Sequence, residues 1–191
     1  MANRNTQGFG LIAQGTVGST MASQGQGKYL IDAGMGVDLF QGTAVRSAAG
    51  YIVTAQAAIT NTCIGVLNGI FYNDATTKKP TFANFYNQPI TPANSEDITA
   101  FVIDNPNQLF VASIDAAAAQ AEYGKTYGLT VTAAGSEISG QSSSELTYAT
   151  RHATNNQWRL VRTAEDPENN DIAAANCSVV VAHNLNQYFT G

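Results

Sequence analysis

Short apolar runs alternate with glycine- and asparagine-rich turns along most of the chain, and the clearest instance spans residues 98–115. There, Ile98–Ile103 and the run 109–114, both β-branched and aromatic, flank Asp104-Asn-Pro-Asn107. Asn105 suits the first position of a type I turn, and Pro106 presets φ for the second. The two runs are therefore expected to pair as a β-hairpin. Alternation puts Ile98, Ala100 and Val102 on one face and Thr99, Phe101 and Ile103 on the other. Both faces are largely apolar, as in a central strand covered on both sides.

Earlier in the chain the same pattern predicts strands over 29–33, 37–40, 43–46 and 51–57, separated by glycine turns. The run 62–72 contains Gly65 and Gly69, which point to a bulge or a barrel corner. Residues 73–80, carrying Lys78 and Lys79, read as a hairpin tip. Downstream, Ala116-Ala-Ala-Ala-Gln-Ala121 follows Asp115, a helix-capping residue, so one or two helical turns are expected there. Further strands are expected over 127–132, 145–151 and 157–162. The last lies within 176–182, where three consecutive valines predict burial on both faces. The fold expected is mainly β: a barrel or sandwich body of short antiparallel strands, one short Ala-rich helix and an extended N-terminal arm. Residues 1–27 form the arm, 28–115 a barrel-like body and 116–191 a C-terminal β lobe that can share one domain with the body.

The arm has six glycines and only scattered apolar residues, so it cannot build a core of its own. It reads either as a frayed tail or as a segment that orders against a partner. In the second reading Phe9, Leu11, Ile12, Val17 and Met21 are the anchors and candidate contact residues.

Composition narrows the function classes. Of 191 residues, 44% are hydrophobic and only 12% charged, about half the usual charged share. The polar surface must then be built from Asn, Gln, Ser, Thr and Gly, which favours neutral contacts that are insensitive to salt. A net charge of −5 provides no basic field, so nucleic acid is not an expected partner. No apolar run reaches the ~18 residues of a membrane span, and the N-terminus lacks a signal-peptide core. Assembly in a cytoplasm is the expectation.

Candidate chemistry is sparse. Cys63 and Cys177 fit neither a metal-ligand nor a redox spacing and read as buried thiols, with a disulfide as the alternative. His152 reads as a surface residue and His183 as one that caps or bonds a loop. Glu96-Asp97, Asp104 and Glu165-Asp-Pro-Glu168 could supply a carboxylate pair for glycoside hydrolysis, and 165–171 offers oxygen ligands for Ca²⁺. Carboxylates beside prolines in Asn-rich turns are more commonly turn formers. No cofactor or metal is expected. Phe71, Tyr72, Phe82, Phe85 and Tyr86 could form a carbohydrate platform, although core packing uses the same residues.

Three stretches resemble the head decoration or cement proteins of short-tailed bacteriophages. The first is Gly69-Ile-Phe-Tyr72 leading into Pro80-Thr-Phe82. The second is Thr99-Ala-Phe-Val-Ile-Asp-Asn-Pro-Asn-Gln-Leu-Phe-Val111. The third is Trp158-Arg-Leu-Val-Arg-Thr-Ala-Glu-Asp-Pro-Glu-Asn-Asn-Asp171, with His183 downstream. The resemblance implies a β-rich, non-enzymatic virion protein bound in many copies to the outer surface of a major capsid protein shell. It also implies contacts with neighbouring copies, trimers among them. The arm has no counterpart in that pattern. Two rival readings remain: a head-fibre or tail adaptor that binds glycans, and a carboxylate-dependent glycoside hydrolase.

Overall fold

The computed structural model describes residues 2–19, 25–55, 62–130 and 135–189. In chain order the strands begin with β1 (Ile12–Thr16), β2 (Gly27–Ile31), β3 (Ala44–Ala48) and β4 (Tyr51–Thr54). β5 (Gly65–Asn73), β6 (Pro80–Ala83), β7 (Ile98–Ile103) and β8 (Gln108–Ile114) follow. β9 (Thr126–Leu129), β10 (Leu146–His152), β11 (Trp158–Thr163) and β12 (Cys177–His183) complete the set. The fold is mainly β, as expected.

The strands form two sheets. In the first, β8, β10, β9, β11 and β12 close into a five-stranded barrel, because β12 pairs with β8 again. One edge of β8 is bonded to β12 over six residue pairs. β1 pairs with 108–111 of β8, and β10 meets it at Ile114. Inside lie Phe110, Ala112, Ile114, Tyr127, Leu146, Trp158, Leu160, Val179 and Val181. The second sheet runs β2-β7-β5-β3-β4, with β6 hairpinned onto β5. Its own core is Ile31, Val45, Ile52, Leu67, Ile70, Tyr86, Ile98, Ala100 and Val102. Ala44, Val66 and Ile103 of the second sheet pack with the barrel residues instead, which seats the two sheets together.

Residues 98–115 do not form a hairpin. The turn chemistry is as expected: Gln108 N–H donates to the Asn105 carbonyl at 3.0 Å, and Asn107 N–H to Asn105 Oδ1 at 2.9 Å. The flanking strands nevertheless enter different sheets. β7 is bonded on both edges, to β2 and β5, and has no edge left for β8. Gln108 is buried and donates to the Gly15 carbonyl at 2.7 Å, which draws the chain toward β1. Gly65 makes the exit possible, since a Cβ there would lie 2.2 Å from the Ile103 carbonyl oxygen. The division between the sheets therefore falls at this turn and not after Asp115, and the closed barrel is built from β8 onward.

The Ala-rich stretch forms only a single 3-10 turn, Gln120–Glu122. Asp115 does not cap it; its Oδ1 accepts from Tyr148 N–H at 2.8 Å, and Ala118 N–H donates to the Ile172 carbonyl. A six-residue run cannot offset helix nucleation against such fixed tertiary bonds. The run 37–40 is likewise no strand, only a bridge between Leu39 and Tyr86.

The described part of the arm is ordered against its own chain. Asn3 Nδ2 donates to the carbonyls of Asp171, Ala174 and Ala175, and Asn5 N–H to Asn169 Oδ1. Gly10 and Leu11 bond to Ser144 and Gly42, and β1 then joins the barrel. The other end acts similarly: residues 184–189 leave β12 and cross to the second sheet. Cys63 N–H donates to the Leu185 carbonyl, and Gln187 N–H to that of Cys63. Gln187 also clasps Ser47, accepting from its N–H at 2.8 Å and donating to its carbonyl at 3.1 Å.

Candidate interaction surface

Alternation along β7 buries Ile98, Ala100 and Val102 and turns Thr99 and Phe101 outward. The strand register then lines up Leu30, Thr99, Phe71 and Phe82 in one row across β2, β7, β5 and β6. Lys28 and Phe101 are neighbours in the next row, opposite Gly69. The Phe71 and Phe82 ring centroids are 4.7 Å apart, and Phe82 and Phe101 are 6.4 Å apart and nearly parallel. Phe82 is 71% exposed and Leu30 43%. Three phenylalanines on the solvent side of a sheet hold one another in place by tilted and stacked ring contacts, with Phe82 exposed and Phe71 and Phe101 half-buried.

Lysines flank the row. Lys28 lies beside Phe101, while Lys78 and Lys79 sit in the β5–β6 hairpin tip. Among the described residues none of the three is in an ion pair, whereas Lys125 is bound to Glu122. The tip itself is fixed by Asp74, whose Oδ1 accepts from Thr76 N–H, Thr77 N–H and the Thr77 hydroxyl. The Thr77 amide and hydroxyl hold its carboxyl below the usual range.

Of the five aromatics suggested as a platform, only Phe71 and Phe82 face outward. Tyr72 packs against the second core, Phe85 stacks on Phe40 at 5.5 Å, and Tyr86 is buried with its hydroxyl donating to the Met35 carbonyl. Phe101, the third surface ring, reads as core in the sequence because its strand is apolar on both faces. In the arm, Leu11 is only 3% exposed and committed to the core of this chain. Phe9 is half-buried, and Ile12 and Val17 are about half exposed at 48% and 50%. Met21 lies outside the described residues.

The groups considered for chemistry have internal roles. Asp104 accepts from the Tyr29 hydroxyl at 2.8 Å, and Asp97 from that of Tyr51 at 3.3 Å. Asp166 accepts from Glu168 N–H and Asn169 Nδ2, Glu168 pairs with Arg4, and Glu165 with Arg162. The oxygens suggested for Ca²⁺ thus organise a turn. His152 is exposed, and its Nδ1 accepts from the N–H groups of Thr154 and Asn155.

His183 does bond a loop residue, Cys63 in the segment before β5. Its ring is tilted against Trp158 at 4.4 Å and edge-on to Phe110 inside the barrel, with Nδ1 3.4 Å from Cys63 Sγ. The sequence gives no spacing signal for this pair, which is 120 residues apart. It resembles a nucleophile with its base, but burial disarms both members. Desolvation pushes the Cys63 thiol up to about 12 and the His183 imidazole down to about 4. At neutral pH the site holds a thiol and a neutral ring. Both cysteines are free and buried.

In comparisons with known proteins, no family model matches the chain, and no curated protein or solved structure does either.

Proposed function

We propose that this chain is a non-enzymatic structural protein that coats an assembled protein shell, as a virion decoration or cement protein does, and that it docks through the outer face of the second sheet. The observation that carries this reading is the Leu30–Phe71–Phe82–Phe101 face. Apolar side chains gathered on a rigid surface, here Leu30 and Phe82 exposed with Phe71 and Phe101 half-buried beside them, mark an interaction site, and aromatic rings are the usual anchors of such sites. The partner is a major capsid protein on the outside of its shell, with neighbouring copies of this chain alongside. The resemblance seen in the sequence supports the same partner, because Gly69–Tyr72, Pro80–Phe82 and Phe101 belong to the stretches that carry it.

The contact differs in place from the one the sequence suggests. Leu11 cannot serve, and the anchors are strand residues held in register. A preorganised sheet face loses less entropy on binding than a flexible arm, and repetition over a shell raises the effective concentration further. Lys28, Lys78 and Lys79, in no ion pair among the described residues, suit an acidic rim on the partner, so some salt dependence replaces the insensitivity expected from composition.

Cosedimentation with empty shells of the major capsid protein tests the reading. Saturable binding at a fixed ratio to the capsid subunit is expected, with loss in Phe82→Glu. Absence of binding by the wild-type chain, or full binding by Phe82→Glu, overturns it.

A further inference from the structure

A second feature lies where the two sheets meet. Between β1, the middle of β5 and the turn around Gly42 is a cleft of about 380 Å³, within the range of small-molecule sites, which favour such junctions. Its floor is apolar: Leu11, Val66 and Ile103 are all buried. Its rim carries four amides, Gln26, Gln41, Asn68 and Gln141, and among the described residues no charged side chain lines it.

The amides are specifically aimed. The β5–β7 register shifts between Leu67 and Gly69, so Asn68 is the extra residue of a bulge, a device that redirects a side chain. Gln41 Nε2 donates to Asn68 Oδ1 at 3.0 Å. That bond fixes both amides and leaves Asn68 Nδ2 as a donor and Gln41 Oε1 as an acceptor, with no partner among the described residues. Gln141 is held to the arm by Nε2, which donates to the Phe9 carbonyl at 3.1 Å, and its Oε1 remains an acceptor.

We infer that this cleft binds a neutral saccharide. A donor and an acceptor offered by two mutually bonded amides match sugar hydroxyls, each of which both donates and accepts. The apolar floor and the walls formed by Phe9 and Ile12 match the C–H face of a sugar ring. The uncharged lining excludes phosphates, sialic acids and uronic acids, which would be buried without a counter-charge. A purely apolar ligand would leave the amides desolvated and unpaired. None of Leu30, Phe71, Phe82 and Phe101 lines the cleft, so the inference does not depend on shell docking.

Saturation-transfer NMR and calorimetry on the full chain test it, with lactose, maltose, cellobiose and diacetylchitobiose as neutral probes and 3′-sialyllactose as the charged one. At least one neutral disaccharide is expected to bind saturably. Asn68→Ala should weaken it by about tenfold, the size of one well-made hydrogen bond. Gln26→Ala, at an exposed position that does not bear on folding, should weaken it severalfold. Phe82→Glu should bind the sugar normally, and Asn68→Ala should still bind shells, which separates failure of one reading from failure of the other. The inference is overturned if none of the four neutral probes binds, if sialyllactose binds more tightly than lactose, or if Asn68→Ala and Gln26→Ala both retain wild-type affinity.

Discussion

Sγ of Cys63 lies 3.4 Å from Nδ1 of His183, where the segment preceding β5 meets the end of β12. The ring is enclosed by Trp158 and Phe110, and its Nε2 is buried with no hydrogen-bond partner among the described residues. Such a group resists protonation until the fold opens.

Stability should therefore depend on pH in a defined window. The unfolded His183 takes up a proton below about 6.5, whereas the folded one does so only near 4. Its contribution is complete above about pH 6.5 and is lost as pH falls toward 4. The upper limit is about 3 kcal/mol, lowered because the residue keeps some exposed area. Urea midpoints at pH 7.5, 5.5 and 4 should fall more steeply for the wild type than for His183→Gln. Parallel curves for the two would refute the assignment.

The thiols offer a second check. Cys63 is pushed up to about 12 and Cys177 to about 11, both mainly by desolvation. In the native protein neither should react with a thiol reagent over hours at pH 8. Both should react within minutes in denaturant. Rapid native labelling of either would show the site to be open.

At the crossing between sheets, Gly65→Ala should be among the most damaging single-methyl additions. The new Cβ would clash with the backbone of Ile103 and Asp104, which cannot move aside without shifting β7. A loss of about 2 kcal/mol or more in unfolding free energy is expected. At Gly15, where a Cβ meets nothing within 4 Å, alanine should be tolerated.

Phe82 should separate folding from binding. With 71% of it exposed, truncation to alanine should change stability by no more than about 0.5 kcal/mol, yet it should abolish most shell association. Raising salt should slow association by screening Lys28, Lys78 and Lys79, leaving the contribution of the rings intact. A Phe82→Ala protein that still coats shells would remove the aromatic row from the interface.

Much of this architecture is legible in the chain, and the misses share a cause. Runs of β-branched residues mark β5, β7, β8 and β12, and Val179, Val180 and Val181 are buried as their pattern requires. The polar loop after β5 is a hairpin tip, and Gly69 does border a bulge. Local chemistry also identifies the turn at Asn105-Pro106, but a turn does not determine which strands pair. That choice rested on Gly65 and Gln108, whose partners are distant in sequence. The alanines at 116–121 fail as a helix for a similar reason, since Tyr148 and Ile172 claim the groups a helix would need. The phenylalanine face was half visible: Phe71 and Phe82 stand out as aromatics, but Phe101 looks like core until the sheet shows which side is bare. Neither the Asn68 cleft nor the Cys63–His183 contact could be anticipated, because each is assembled from segments that meet only in the folded chain.

The three-way bonding of β8 has a mechanical consequence. The strand is gripped by β12 along one edge and by β1 and β10 along the other. A pull along its axis therefore loads these hydrogen bonds in shear, many at once, and they cannot be peeled apart singly. β8 also begins at the turn where the chain leaves the phenylalanine-bearing sheet, so tension arriving through that sheet passes directly into the barrel. A body connected in this way behaves as a rivet that transmits load, and not as a spring that stretches under it.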